Sequence, residues 1–195
     1  MTPSTLRWPA LVAAALLAAC GGTAPREQYY TLSGPDTPLP AATAAGPSIL
    51  VLVTVPEGVD RSPMVLRTGP NQVDVTDFHR WAEPLKHAIP RVVAEHLARE
   101  VGTPRVFAGR AAAGQAVDLR VAIDVQRFES SLQQGAILDA LWTVSGAKAT
   151  TARTRRSLLV EPAPSPDPAG LAAAHSRALA RLAGEIAKTV RGTEP

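Results

Sequence analysis

Asp118 and Asp124 are the carboxylates that first suggest acid–base chemistry, because strict alternation from Val117 to Val125 puts both on one face of a strand. Six residues at about 3.3 Å each hold them about 20 Å apart, too far to act on one bond. Ser145-Gly146-Ala147-Lys148 has the S-x-x-K spacing of an acyl-transfer nucleophile and its base. It falls in an expected turn and lacks the second motif that such a site requires. His79, His87, His96 and His175 show no H-x-x-x-H spacing, so they encode no zinc set. Neither a glycine-rich phosphate loop, a Walker lysine nor a G-x-S-x-G elbow is present. The chain reads as non-enzymatic, with no catalytic residues, no metal and no cofactor.

The remaining reactive group is Cys20, the only cysteine. It ends an apolar run that starts at Ala10, directly after Leu17, Ala18 and Ala19. That placement looks like a bacterial lipobox: a thioether to diacylglycerol forms on the sulfur, and a peptidase that admits small residues cuts before it. The run is about half of the roughly 20 residues a membrane-spanning helix needs, so residues 1–19 read as a cleaved signal peptide. An ordinary secretory signal with an accidental cysteine is the plainer alternative. Lipid on Cys20 would leave no free thiol to oxidise in the cell envelope. Three acyl chains on one residue would exceed the two signals that stable anchoring takes. Gly21 rather than Asp follows the cysteine, so the usual inner-membrane retention signal is missing. Outer-membrane anchoring, with the protein facing the periplasm, is expected.

Removal of residues 1–19 takes away Arg7 and lowers the formal charge of +3 by one, which is too small a bias to imply nucleic acid. The mature chain is about one domain long, enough for a core without disulfides. Residues 20–27 form a short tether, 28–192 one α+β domain, and 193–195 a tail.

The elements that would hold any contact surface follow from periodicity. Tyr29 to Leu32 and Ile49 to Val55 are expected strands, the second buried on both faces. Between them, residues 33–47 carry four prolines and form a loop. Met64 to Arg67 and Gln72 to Val75 form a hairpin across Gly69-Pro70-Asn71. Trp81 opens the next element. Leu85, Ile89, Val92, Val93 and Leu97 give a helix one apolar stripe, stopped by Gly102, and Pro90 should kink or divide it. The alternating strand from Val117 loses parity at Phe128, which predicts a bulge near Gln126-Arg127. Strands over Ile137 to Val144 and Arg153 to Val160 complete a three-stranded antiparallel meander. Asp167 and Pro168 cap and start a last helix with a stripe of Leu171, Leu179, Leu182, Ile186 and Val190. The expected fold is α+β: a mostly antiparallel sheet with two amphipathic helices on one face.

These pieces resemble the PqiC-type (YmbA-like) ABC-type transport auxiliary lipoproteins. The resemblance is carried by Cys20, Tyr29-Tyr30-Thr31-Leu32, Asp60-Arg61 with Met64-Val65 and Arg67, and Trp81-Ala82-Glu83-Pro84-Leu85. It continues through Arg127-Phe128-Glu129, the strand from Leu138 to Trp142, and the helix around His175 to Ile186. The family implies an auxiliary subunit of an ABC/MCE-type lipid transport system that maintains membrane integrity. Its implied partners are an MCE-domain protein and inner-membrane transport components. A homo-oligomer is consistent with ring-forming partners.

Tyr29, Tyr30, Asp60, Arg61, Trp81 and Glu83 are the candidate partner contacts. Trp81 equally suits the core beneath the first helix, and Asp60 with Arg61 equally suits a local turn. Arg153, Arg155 and Arg156 could meet anionic lipid headgroups or simply guard an exposed strand. The competing functions are a stand-alone envelope lipoprotein with a lipid or small-ligand cavity, and an envelope hydrolase with a pocket around Asp124, Asp139 and Trp142.

Overall fold

Two helical stripes and a set of alternating strands need a common apolar layer, and the computed structural model supplies it by laying both helices on one face of a single curled sheet. The structure describes residues 25–36, 46–109, 116–146 and 152–192. Cys20 with Leu17, Ala18 and Ala19 lies outside the described residues, as do Lys148 and most of the 33–47 loop.

In chain order the elements are β1 (Gln28–Tyr30), β2 (Ile49–Thr54), β3 (Pro63–Gly69), β4 (Gln72–Trp81), α1 (Leu85–Val101), β5 (Val106–Ala108), β6 (Leu119–Ser131), β7 (Gly135–Gly146), β8 (Ala152–Glu161) and α2 (Pro168–Arg191). The strand order is β1-β4-β3-β6-β2-β5, with β7 on β6 and β8 on β7. The meander β6-β7-β8 is antiparallel throughout, in register from Leu119↔Gly146 to Ser131↔Gly135 and from Ala136↔Glu161 to Ser145↔Ala152.

The sheet is more mixed than the sequence suggests. Four pairings are parallel: β1 with β4, β2 with β5, β2 with β6, and β3 with β6. Each joins strands distant in sequence, and parallel neighbours need crossovers that no local pattern reveals. β2 sits between β5 and β6, which explains why Ile49, Leu50 and Val51 are all fully buried.

β6 carries the expected bulge: its register against β7 shifts between Val125 and Arg127. Before the shift β6 pairs with β2, and after it Ser130 pairs with Leu66 of β3. A bulge bends and over-twists its strand, and here it falls where β6 changes partners. Odd-numbered residues up to Val125 face the helices; past the extra residue Phe128 and Ser130 do so instead.

Two expectations change in detail. Trp81 closes β4 rather than opening the next element. The polar residues Asp77, His79 and Arg80 hid the second half of that strand, and its pairing with β3 slips between Val65 and Pro63. α1 runs as one helix through Pro90, which is buried in its second turn. Only the bond to the Lys86 carbonyl is forfeited there. Gly102 caps α1 at a φ of 77°, its N–H and that of Thr103 both returning to Ala98 O. Asp167 caps α2 by accepting from Gly170 N at 2.7 Å, with Pro168 as first helical residue. All five residues of the expected α2 stripe are fully buried.

Candidate interaction surfaces

The sequence-nominated contacts gather at one corner, because β1, the turn before β3, the end of β4 and the start of α1 all meet there. Tyr29 and Tyr30 pair with Arg80 and Trp81, Ala82 N donates to Tyr30 O, and Trp81 N donates to Ser62 O. Tyr29 is 59% exposed, and its hydroxyl donates to Glu27, which also binds Arg80 at 2.8 Å. The Tyr30 hydroxyl lies 2.7 Å from Gln28 and 2.9 Å from His79 Nδ1.

Asp60 has a structural task at this corner. Pro84 at the helix boundary offers no side-chain acceptor, and Asp60 Oδ1 accepts instead from Lys86 N at 3.1 Å. A residue far away in sequence thus satisfies one of the orphan donors of α1. Glu83 accepts from Arg91, whose guanidinium also reaches Leu32 O and Glu95. Arg91 therefore stitches the chain after β1 to α1. Arg61 occupies the exposed turn.

Trp81 lies inside the core, 4% exposed, edge-on to Phe128 and His175. His175 stacks on Phe128 at 3.8 Å and meets Ser130 Oγ through Nε2 at 2.8 Å. Its Nδ1 has no partner among the described residues. Burial pushes this imidazole down to about 3, so it is neutral. Spacing did not single it out, although Ala174 to Ala178 places it on the apolar flank of α2.

On the opposite face of the sheet, Glu129 is clamped by Arg67 and Arg127, each through two hydrogen bonds, which hold its carboxyl down at about 2. The Asp139 carboxylate binds the Arg156 guanidinium through both oxygens, at 2.8 and 2.7 Å, and is held below its ordinary value. Leu141, Leu158 and Val160 stand exposed beside it on the same face.

The carboxylates that suggested acid–base chemistry are apart and separately engaged. Asp118 accepts from Ser48 N and Oγ at 2.7 and 2.6 Å, and Asp124 accepts from Gln126. Asp124 lines a recess of about 960 Å³ beside Leu52, Val55, Pro90, Leu141 and Asp60. Trp142 borders a different recess, of about 530 Å³, with Arg153, Arg155, Glu185 and Lys188. Asp124, Asp139 and Trp142 thus share no pocket, and among the described residues no three His, Asp or Glu side chains converge as a metal set.

Residues 30–187 match the family described as ABC-type transport auxiliary lipoprotein component. An uncharacterized protein of known crystal structure superposes at a TM-score of 0.67, with 16% identity, over 85% of this chain and 99% of its own. Protein XCC0632 from Xanthomonas campestris superposes at 0.65, with 23% identity, over 84% and 94%. Both likenesses show the fold. A PelC dodecamer from Paraburkholderia phytofirmans reaches only 0.40, with 13% identity over 75% and 91%, too loose a likeness to carry anything further. No curated protein matches the sequence.

Proposed function

The chain belongs to the ABC-type transport auxiliary lipoprotein component family, and on that premise we propose that it is a non-enzymatic subunit of an MCE-type lipid transport system, anchored in the outer membrane through lipid on Cys20 and facing the periplasm. The observation that carries this reading is the extent of the family match. It begins at residue 30, ten positions after the lipobox cysteine, and ends inside α2, so it takes in nearly the whole domain. In this role the protein docks onto an MCE-domain protein and helps hold the outer-membrane end of the transport path, which maintains membrane integrity.

The corner built from Tyr29, Tyr30, Asp60, Arg61 and Glu83, with Trp81 supporting it from the core, is the surface assigned to the partner. Tyr29 is an exposed aromatic of the kind that anchors interfaces. Affinity capture of the lipidated chain from envelope membranes tests the reading. ABC or MCE components should co-purify and be lost on Tyr29→Ala with Arg61→Ala. Recovery of neither component would overturn it, and Cys20→Ser should move the protein out of the membrane fraction.

A second reading, a stand-alone lipoprotein that binds a lipid, draws on the recess of about 960 Å³ with its apolar walls. Lipid co-purifying with the chain in the absence of transport components would favour it.

A further inference from the structure

We propose that the recess between β8 and the C-terminal end of α2 binds a phosphate group, either free phosphate or the phosphate of a lipid headgroup. Alternation along β8 puts Arg153, Arg155 and Ser157 on its helix-facing side. Three- and four-residue spacing puts Glu185, Lys188 and Thr189 on one flank of α2. The two sets meet across a recess of about 530 Å³.

Three of the four cations there lack the matching seen in the fourth and elsewhere on the same two elements. Arg156, whose backbone position faces the other side of β8 but whose side chain also borders the recess, is held by Asp139, and Arg177 and Arg181 of α2 both bind Glu161. Arg153, Arg155 and Lys188 meet no carboxylate among the described residues. The single acid in the recess, Glu185, is engaged otherwise: Ser157 Oγ donates to it and Trp142 Nε1 donates to Ser157 at 2.8 Å. That chain begins at a nearly fully buried indole and a buried serine, so it forms a fixed polar floor.

Arg153 and Arg155 are about 7 Å apart at two residues of strand rise, with Lys188 facing them from the helix. Cations that line one recess repel one another, and an anion bound among them would relieve that repulsion. Two guanidiniums and an ammonium around a polar floor suit the tetrahedral, multiply accepting oxygens of phosphate. Edge protection would explain the arginines of β8, and the helix dipole would explain Lys188. Neither explains why all three border one recess whose single described carboxylate, Glu185, is engaged by Ser157 instead of by them. The proposal rests on this geometry and stands or falls independently of the transport role.

The test is calorimetric titration of the full lipidated chain in a neutral detergent, first with inorganic phosphate and then with dihexanoyl-phosphatidylglycerol. Saturable binding is expected, weakened at least tenfold in R155Q/K188Q and unchanged in Arg120→Gln, which removes a cation elsewhere on β6. Lys188→Glu serves as a second variant should the double one fail to fold. Tighter binding of the lipid than of inorganic phosphate assigns a headgroup, and equal affinity assigns free phosphate. No saturable binding of either probe, or equal weakening in Arg120→Gln, would overturn the proposal.

Discussion

His175 sits at the centre of the sheet–helix interface with only Trp81, Phe128 and Ser130 as its described ring and hydrogen-bond neighbours, and none of these carries a charge. Its ordinary value of 6.5 falls to about 3 because the charged form would lose its hydration. Below pH 6.5 the unfolded chain therefore binds a proton at this residue that the folded chain does not. Stability is fully present above about pH 6.5 and declines as pH falls toward 3, by up to about 1.4 kcal/mol per unit. His175→Gln, which keeps a partner for Ser130, should flatten urea-unfolding free energies between pH 6.5 and 4.5. His96, also lowered by burial, should supply the smaller slope that remains. An unchanged slope in the variant would show that His175 does not set the acid limit.

Among the elements, the β6–β7 turn and the start of α2 are the points where a single residue decides the backbone. Gly135 begins β7 at a φ of 84°, and a Cβ there would lie 2.0 Å from Glu161 O. Gly135→Ala combines left-handed strain with a backbone clash and should cost well over about 2 kcal/mol, read as a lowered urea midpoint. Asp167→Ala removes the cap of α2 without disturbing its stripe, and about 1 kcal/mol is expected from the same measurement. The Asp167 cap, the bulge and the end of α1 were legible in the residues because each is local: a cap before a proline, a parity slip at Phe128, a glycine ending a stripe. The far half of β4 was not, because its strand pairing outweighs a polar sequence that alternates poorly. Pro90 misled for the related reason that a buried face held by tertiary packing tolerates one missing helical bond.

For the molecule as a whole, the decisive length is the stretch from Cys20 to β1. Eight residues to Gln28 span at most about 30 Å, so the lipid proposed on Cys20 would keep the domain and its tyrosine corner close to the membrane. Inserting ten Gly/Ser residues after Arg26 should leave the melting temperature unchanged yet weaken rescue of a deletion strain's membrane defects. Full rescue would show that reach is irrelevant.

Sequence alone was enough for the family resemblance, the meander and both helical stripes, because each depends on near neighbours or on one periodicity. Tertiary structure decided the four parallel pairings, the gathering of Tyr29, Asp60, Arg61 and Glu83 at one corner, and the placing of Trp81 and His175 against each other in the core. It also brought Lys188 over Arg153 and Arg155. Each of these joins residues far apart in the chain, and their proximity follows from which faces must share one apolar layer, a choice the whole fold makes together.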